Sequence, residues 1–160
     1  MVKIFLLLLI LLPLQESRSA EPEIWAAPIP YLESALVEDY LAPVSEYGTG
    51  HRGIDFTAPV GASIHAPSDG VIHFSGKVVD RHLVTVMTNS GKRVSFEPVC
   101  TDLARGEKVN RGQVIGYNCD TDSRYEAHCE SCIHASVRDD YGYLSPMHMF
   151  GQLSPSVLLS

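Results

Sequence analysis

The chain has 160 residues, of which 45% are hydrophobic, and it carries a formal net charge of −7 at pH 7. That length corresponds to one ordinary domain with a sizeable hydrophobic core. The acidic balance argues against a nucleic-acid-binding protein, because such proteins present a basic face to the phosphates.

The first 20 residues have the composition of a secretory signal peptide. A positively charged start is followed by an apolar run over residues 4–14 and by small residues that end at Ala20. This order predicts export with cleavage after Ala20. The apolar run is too short to cross a bilayer and contains Pro13, so no membrane span is expected. Without this segment the chain keeps 10 basic and 18 acidic residues, a net charge of −8.

Residues 21–50 carry several prolines and end in Gly48-Thr49-Gly50. Proline and glycine at this density indicate an extended N-terminal arm that wraps the domain, with Trp25 as its anchor. A short helix between residues 32 and 40 is only weakly indicated. We expect the folded domain to span residues 51–150 and to be followed by a short C-terminal tail, 151–160.

From residue 51 onward, short apolar runs alternate with turn residues. The candidate strands are residues 71–74, 83–87, 93–99, the segments around Val109 and Val114, and 133–137. No helical periodicity of useful length follows residue 50. The pattern predicts an all-β protein, an antiparallel sandwich or a barrel-like fold.

The strongest local signal of chemistry is His51-Arg52-Gly53-Ile54-Asp55. Side chains two apart in an extended chain share a face, so His51 and Asp55 can point the same way, with Gly53 leaving room for an ion. Imidazole and carboxylate are good zinc ligands. His134, in the last candidate strand, could complete a three-ligand site with an open position. The alternative is an ordinary surface pair of a histidine and an aspartate.

Several segments, in order, resemble the lysostaphin-like zinc metalloendopeptidases: His51 to Gly61, Ala66 to Val71, Gly106 to Gly116, and Tyr143 to Pro146. Members of this family have an antiparallel β fold of the duplicated hybrid motif type. They cut peptide cross-links of bacterial cell walls with a zinc ion held by one aspartate and two histidines. The resemblance implies peptidoglycan peptides as the partner, zinc as the cofactor, and His51, Asp55 and His134 as the zinc ligands.

The family also has two histidines that handle the proton and the oxyanion, and both are replaced here. Pro98 occupies one position, in Phe96-Glu97-Pro98-Val99, and Cys132 occupies the other. Some actinobacterial relatives are similar at both positions, so the chain resembles that divergent branch. No catalytic residue is therefore assigned.

Two side chains are candidate substitutes for the missing histidines. Glu97 is expected to point away from the zinc, because adjacent strand residues face opposite sides. His128 lies in a predicted loop close to His134. The four remaining histidines have no support from the motif and are expected to be structural or exposed: His65, His73, His82 and His148.

Four cysteines in an exported chain fit two disulfides, with three possible pairings. We favour Cys100 with Cys119, which would join neighbouring strands, and Cys129 with Cys132. The rival reading keeps Cys132 as a thiolate on the same strand face as His134, where it could close the zinc site as a fourth ligand.

Three functions are consistent with these features. The first is an exported zinc metalloendopeptidase that acts on peptidoglycan. The second is an inactive module that retains zinc and binds peptidoglycan or regulates a partner hydrolase. The third is a disulfide-stabilised exported domain whose metal site is vestigial.

Overall fold

The computed structural model describes residues 25–45, 47–119 and 131–151. The predicted signal peptide, residues 120–130 with His128 and Cys129, and residues 152–160 lie outside these ranges. The elements in chain order are α1 (Leu32–Ala35), β1 (Leu36–Glu38), β2 (Ile54–Thr57), β3 (Ser63–His65), β4 (Gly70–Val78), β5 (Arg81–Thr88), β6 (Arg93–Glu97), β7 (Val99–Cys100), β8 (Lys108–Val109), β9 (Val114–Asn118), β10 (Cys132–Arg138), β11 (Tyr143–Leu144) and α2 (Pro146–Met149).

The strands form two antiparallel sheets. The larger sheet has the order β1-β2-β10-β6-β5-β4-β8, with β11 paired to β10, and the smaller has the order β3-β9-β7. The prediction of an antiparallel all-β fold is confirmed, although neither sheet closes into a barrel. No helix in the described part of the chain is long and apolar enough to cross a membrane.

Alternation along β6, and along β10 from Ile133 onward, gives the larger sheet a buried face and a solvent-facing face. The side chains on the buried face are inaccessible to solvent: Val94, Phe96, Ile133, Ala135 and Val137. The residues between them are partly or fully exposed and point to the other side: Arg93, Ser95, Glu97, His134, Ser136 and Arg138. Because successive residues of a strand face opposite sides, this single pattern builds both the core and the floor of a groove.

The N-terminal segment packs onto the core. Trp25 is 4% exposed, and its ring centroid lies 6.0 Å from that of Phe150. The weakly indicated helix is a single turn, α1, and the chain then pairs with β2 as strand β1. Beyond β1, Leu41 forms an isolated antiparallel bridge with His51. The segment therefore reaches the residue that opens the metal motif. The boundary at residue 50 stays a prediction.

The predicted strand over residues 93–99 is two strands, β6 and β7, separated at Pro98. Proline has no N–H group to donate to a neighbouring strand, so it ends the pairing of β6 with β10 at Glu97. The chain then continues in the smaller sheet, where β7 pairs with β9.

The predicted disulfide between Cys100 and Cys119 is confirmed, with a Cα–Cα distance of 5.6 Å. It joins β7 to the residue that follows β9, 19 residues later in the chain. Closing a loop of this size restricts the unfolded chain by about 3 kcal/mol. We expect the double variant Cys100→Ser/Cys119→Ser to lose about that much free energy of unfolding in urea titrations. An unchanged unfolding midpoint would contradict this expectation.

Candidate metal centre

The structure brings together Asp55 and His134, from two neighbouring strands, and His51, which precedes the first of them. Asp55 lies in β2 and is directly opposite His134 of β10 in the antiparallel register. His51 precedes β2 and is held by the bridge to Leu41. His51 and Asp55 are 8% and 4% exposed, whereas the His134 side chain is 20% exposed. The group is therefore closed on the side of His51 and Asp55 and accessible on the side of His134.

One ligand atom from each residue faces a common point, and all three atoms lie within 4.8 Å of one another. His51 Nε2 lies 3.3 Å from both Asp55 Oδ1 and His134 Nδ1. His134 Nδ1 lies 2.7 Å from Asp55 Oδ1, which is hydrogen-bond distance. Three tetrahedral ligands at about 2.0–2.1 Å from a zinc ion lie about 3.3 Å apart. The two distances from His51 Nε2 equal this separation, so this group of donors could bind a metal.

A backbone carbonyl orients the His51 ring. His51 Nδ1 lies 2.9 Å from the carbonyl oxygen of Asp39, just after β1. A carbonyl oxygen can only accept, so Nδ1 carries the proton and Nε2 presents its lone pair to the site. Outer contacts of this kind fix the tautomer of metal-binding histidines. The sequence contained no signal for this contact, because it depends on where the N-terminal segment crosses the sheet.

Gly53 has a different role from the one predicted. Its absent side chain leaves room for a ring, not for an ion: a Cβ there would lie 2.6 Å from both Cε1 and Nε2 of His134. It would also lie 2.3 Å from the carbonyl oxygen of Ala135. Glycine is needed because the imidazole of His134 and the backbone of β10 pack directly against residue 53.

The expected orientation of Glu97 is wrong. Glu97 is directly opposite His134 in the β6–β10 pairing, and the two residues line the same cavity of about 480 Å³. The prediction took Pro98 as the residue facing the site and assigned Glu97 to the opposite face. Pro98 instead lies outside the strand, and Glu97 is the last residue that follows the alternation. The Glu97 carboxylate accepts a hydrogen bond of 3.1 Å from Arg81 Nε.

Sequence reasoning also missed His73, which lines this cavity with His134. The β4–β5 register shifts between Ile72 and Phe74, so His73 is an extra residue in β4. Alternation from the fully buried Ile72 already places His73 on the groove side of the sheet, but His73 lies outside the motif segments, so sequence reasoning gave it no role. Of the other histidines without motif support, His65 contacts the carbonyl oxygen of Pro28 at 3.1 Å, and His148 is exposed.

Cys132 is buried and disulfide-bonded, so it does not supply a thiolate to the site. This excludes the rival reading in which Cys132 is a fourth ligand. Its predicted partner, Cys129, lies outside the described residues. The same holds for His128, whose predicted role as a substitute base stays a prediction.

Comparison with known proteins decides the family. The model of peptidase family M23 matches residues 49–146, which is more than half of the chain. The chain belongs to peptidase family M23. The predicted resemblance to lysostaphin-like peptidases is thereby confirmed, and the match contains all three residues of the metal group. The actinobacterial branch within the family stays a prediction.

Individual M23-type and related proteins show how far the similarity extends. An uncharacterized protein of Mycobacterium tuberculosis, Rv2891, is 30% identical over 82 residues, which cover 51% of this chain but only 33% of that protein. Solved structures share the fold, and two of them show the extent of the similarity. The zinc containing peptidase from Vibrio cholerae has a TM-score of 0.61 and 20% identity, covering 78% of this chain and 40% of that chain. The catalytic domain of lysostaphin from Staphylococcus simulans also has a TM-score of 0.61 and 20% identity, covering 76% and 96%.

Proposed function

We propose that this M23 chain is an exported zinc metalloendopeptidase that acts on the peptides of bacterial peptidoglycan. The observation that carries the proposal is the convergence of ligand atoms from His51, Asp55 and His134 within 4.8 Å of one another. Membership of the peptidase family and the shared fold with lysostaphin support the reaction class and the substrate. The open side of the group faces a groove that could hold an extended peptide.

The donor set fits zinc, since two imidazoles and one carboxylate leave a fourth position open. Zinc bound there would polarise the scissile carbonyl and lower the pKa of water toward neutrality. His51 and Asp55 would anchor the ion from the buried side, and His134 would hold it at the groove. The contact from Asp39 keeps the His51 ring in the tautomer that binds metal.

A peptidase also needs a side chain that takes up and returns a proton, worth about 10² to 10⁴ in rate. Among the described residues that line the cavity, His73 and Glu97 carry side chains that can accept and return a proton, besides His134. Glu97 is adjacent to His134 across the strands but is already bonded to Arg81. These two residues are the first to test as substitutes for the missing family histidines.

Export is supported by two independent features. The order of charge, apolar run and small residues in positions 1–20 is that of a signal peptide. The disulfide between Cys100 and Cys119 is typical of proteins that fold in an oxidising compartment.

A second function is favoured by the two replaced positions. Pro98 has no titratable group, and Cys132 is consumed in a disulfide. A domain that keeps the metal group but lacks both family histidines could bind peptidoglycan peptides without cutting them, or regulate a partner hydrolase. The metal would then have a structural role and stabilise the residues that line the groove.

Hydrolysis of purified peptidoglycan separates the two functions. We expect zinc-loaded protein to release new free amines, and His51→Ala to reduce the release to background because a ligand is lost. His148→Ala, an exposed histidine of α2, is the matched control and should retain the activity. Glu97→Gln and His73→Asn test the proton carriers, and the variant that removes the carrier should lower the rate by about 10² or more.

The remaining outcomes identify the alternatives. Binding to peptidoglycan with about one zinc per chain, but with no amine release, would establish the binding module. Protein that neither retains zinc nor sediments with peptidoglycan would leave only the disulfide-stabilised domain with a vestigial site.

A further inference from the structure

We propose that the groove contains a carboxylate-binding subsite, formed by Arg93 and Arg138 and displaced about 13 Å along β10 from the row of the metal group. This inference rests on the proposed function, because it concerns the peptide that would lie in the same groove. It specifies the substrate class as a peptide with a free carboxylate about four residues from the bond at the metal.

The β10 register defines the distance. His134 lies in one cross-strand row with Glu97 and Asp55, and Arg138 lies in another row with Arg93 and Tyr143. The two rows are four residues apart on β10, and a strand rises about 3.3 Å per residue. An extended peptide along the groove has nearly the same rise, so its fourth residue from the metal group reaches the arginines.

The two arginines form an unusual pair. Arg93 and Arg138 are directly opposite each other on neighbouring antiparallel strands and line the same cavity. Like charges at directly opposite positions repel each other and destabilise a sheet. A bound anion between the two guanidinium groups would remove that repulsion. A third arginine, Arg52, lines the same cavity, so three of the six arginines in the described part of the chain line it.

Charges within the protein compensate the pair only in part. Arg93 lies 3.6 Å from the carboxylate of Asp140, a side chain that is 93% exposed, and its buried Nε atom has no hydrogen-bond partner. The Asp139 carboxylate, which also lines the adjoining cavity, accepts hydrogen bonds from the backbone of its own turn. Among the described residues, no carboxylate forms an ion pair with Arg138.

Guanidinium groups bind carboxylates and phosphates by the same paired hydrogen bonds. One feature favours a peptide carboxylate. One cavity of about 480 Å³ is lined by both His134 and Arg138, so a ligand at the arginines can continue to the metal group.

The test uses zinc-loaded full-length protein and two probes, tetraalanine with a free C-terminal carboxylate and the same peptide as the C-terminal amide. Binding is measured by NMR titration or calorimetry, independently of hydrolysis. We expect the acid to bind about tenfold more tightly than the amide. Arg138→Gln should abolish this preference and leave the affinity for the amide unchanged. Arg105→Gln, an exposed arginine outside both cavities, is the matched control and should keep the preference.

Two results would overturn the subsite. The first is an acid preference that persists in Arg138→Gln, because the carboxylate would then be bound elsewhere, the metal included. The second is inorganic phosphate that competes at the arginines while acid and amide bind equally, which would indicate an anionic polymer.

The subsite and the proposed hydrolysis fail separately. Tighter binding of the acid peptide than of the amide, without amine release from peptidoglycan, would support the subsite and contradict the proposed peptidase activity. Amine release without acid preference supports the peptidase and overturns the subsite.

Discussion

Replacing His134 with alanine is expected to reduce bound zinc from about one ion per chain to near zero after dialysis. His134 supplies the third donor and is the residue through which the group opens to the groove, so the remaining pair, His51 and Asp55, forms an incomplete site. Elemental analysis of the dialysed protein measures the loss directly.

The same variant should also lose its stabilisation by zinc. A metal that binds only the folded state stabilises it by about 4 kcal/mol at a free concentration 1,000 times the Kd. Added zinc should therefore raise the free energy of unfolding of the native chain and of the control His148→Ala, but not that of His134→Ala. Stoichiometric zinc in His134→Ala would show that the ion is held elsewhere, and the proposed metal centre would be wrong.

Gly53→Ala removes no ligand but is expected to weaken zinc binding about 10- to 100-fold. Substitutions of residues that orient metal ligands have effects of this size. The new Cβ would lie 2.6 Å from two ring atoms of His134 and 2.3 Å from the Ala135 carbonyl oxygen, so the ring or strand β10 must move. Overpacking of this kind also costs about 1–3 kcal/mol of stability. Competition with a chromogenic chelator gives the affinity, and urea unfolding of the metal-free protein gives the stability.

Gly70→Ala provides the matched control for Gly53→Ala. Its Cβ would lie 2.2 Å from the carbonyl oxygen of Met87, a similar clash with backbone in a different part of the sheet. We expect a similar loss of stability but unchanged affinity for zinc. If both variants weaken zinc binding equally, general loosening of the fold is responsible, and the specific contact between Gly53 and His134 is not.

The fold was predictable from the sequence because strand alternation and turn residues are local patterns. The metal group joins residues 79 positions apart, and it was predictable only because the family resemblance pointed to His134. β6 ends at Glu97, two residues before the end of the predicted strand, and Glu97 rather than Pro98 lies opposite His134. His73 lines the cavity but lies outside the motif segments, so it was not identified.

Other features of the site were beyond sequence reasoning because they join distant parts of the chain. The carbonyl of Asp39 orients a ring 12 residues away, and Arg81 binds Glu97 from a neighbouring strand. The opposition of Arg93 and Arg138 depends on the register of two strands separated by more than 30 residues in the chain. Strand periodicity indicates that Arg93 and Arg138 both lie on the solvent-facing side of the sheet. It does not indicate that they are opposite each other, because that depends on the strand register.

The hydrogen bond from His51 to the Asp39 carbonyl makes metal affinity and local folding interdependent. If detachment of the segment around Asp39 lowers the affinity for zinc, then binding of zinc must stabilise the packing of that segment by the same free energy. A chain that begins unfolded and without metal would thus bind its ion more tightly once the segment around Asp39 is in place. A chelator, conversely, would first expose this segment to proteases, long before the central strands open.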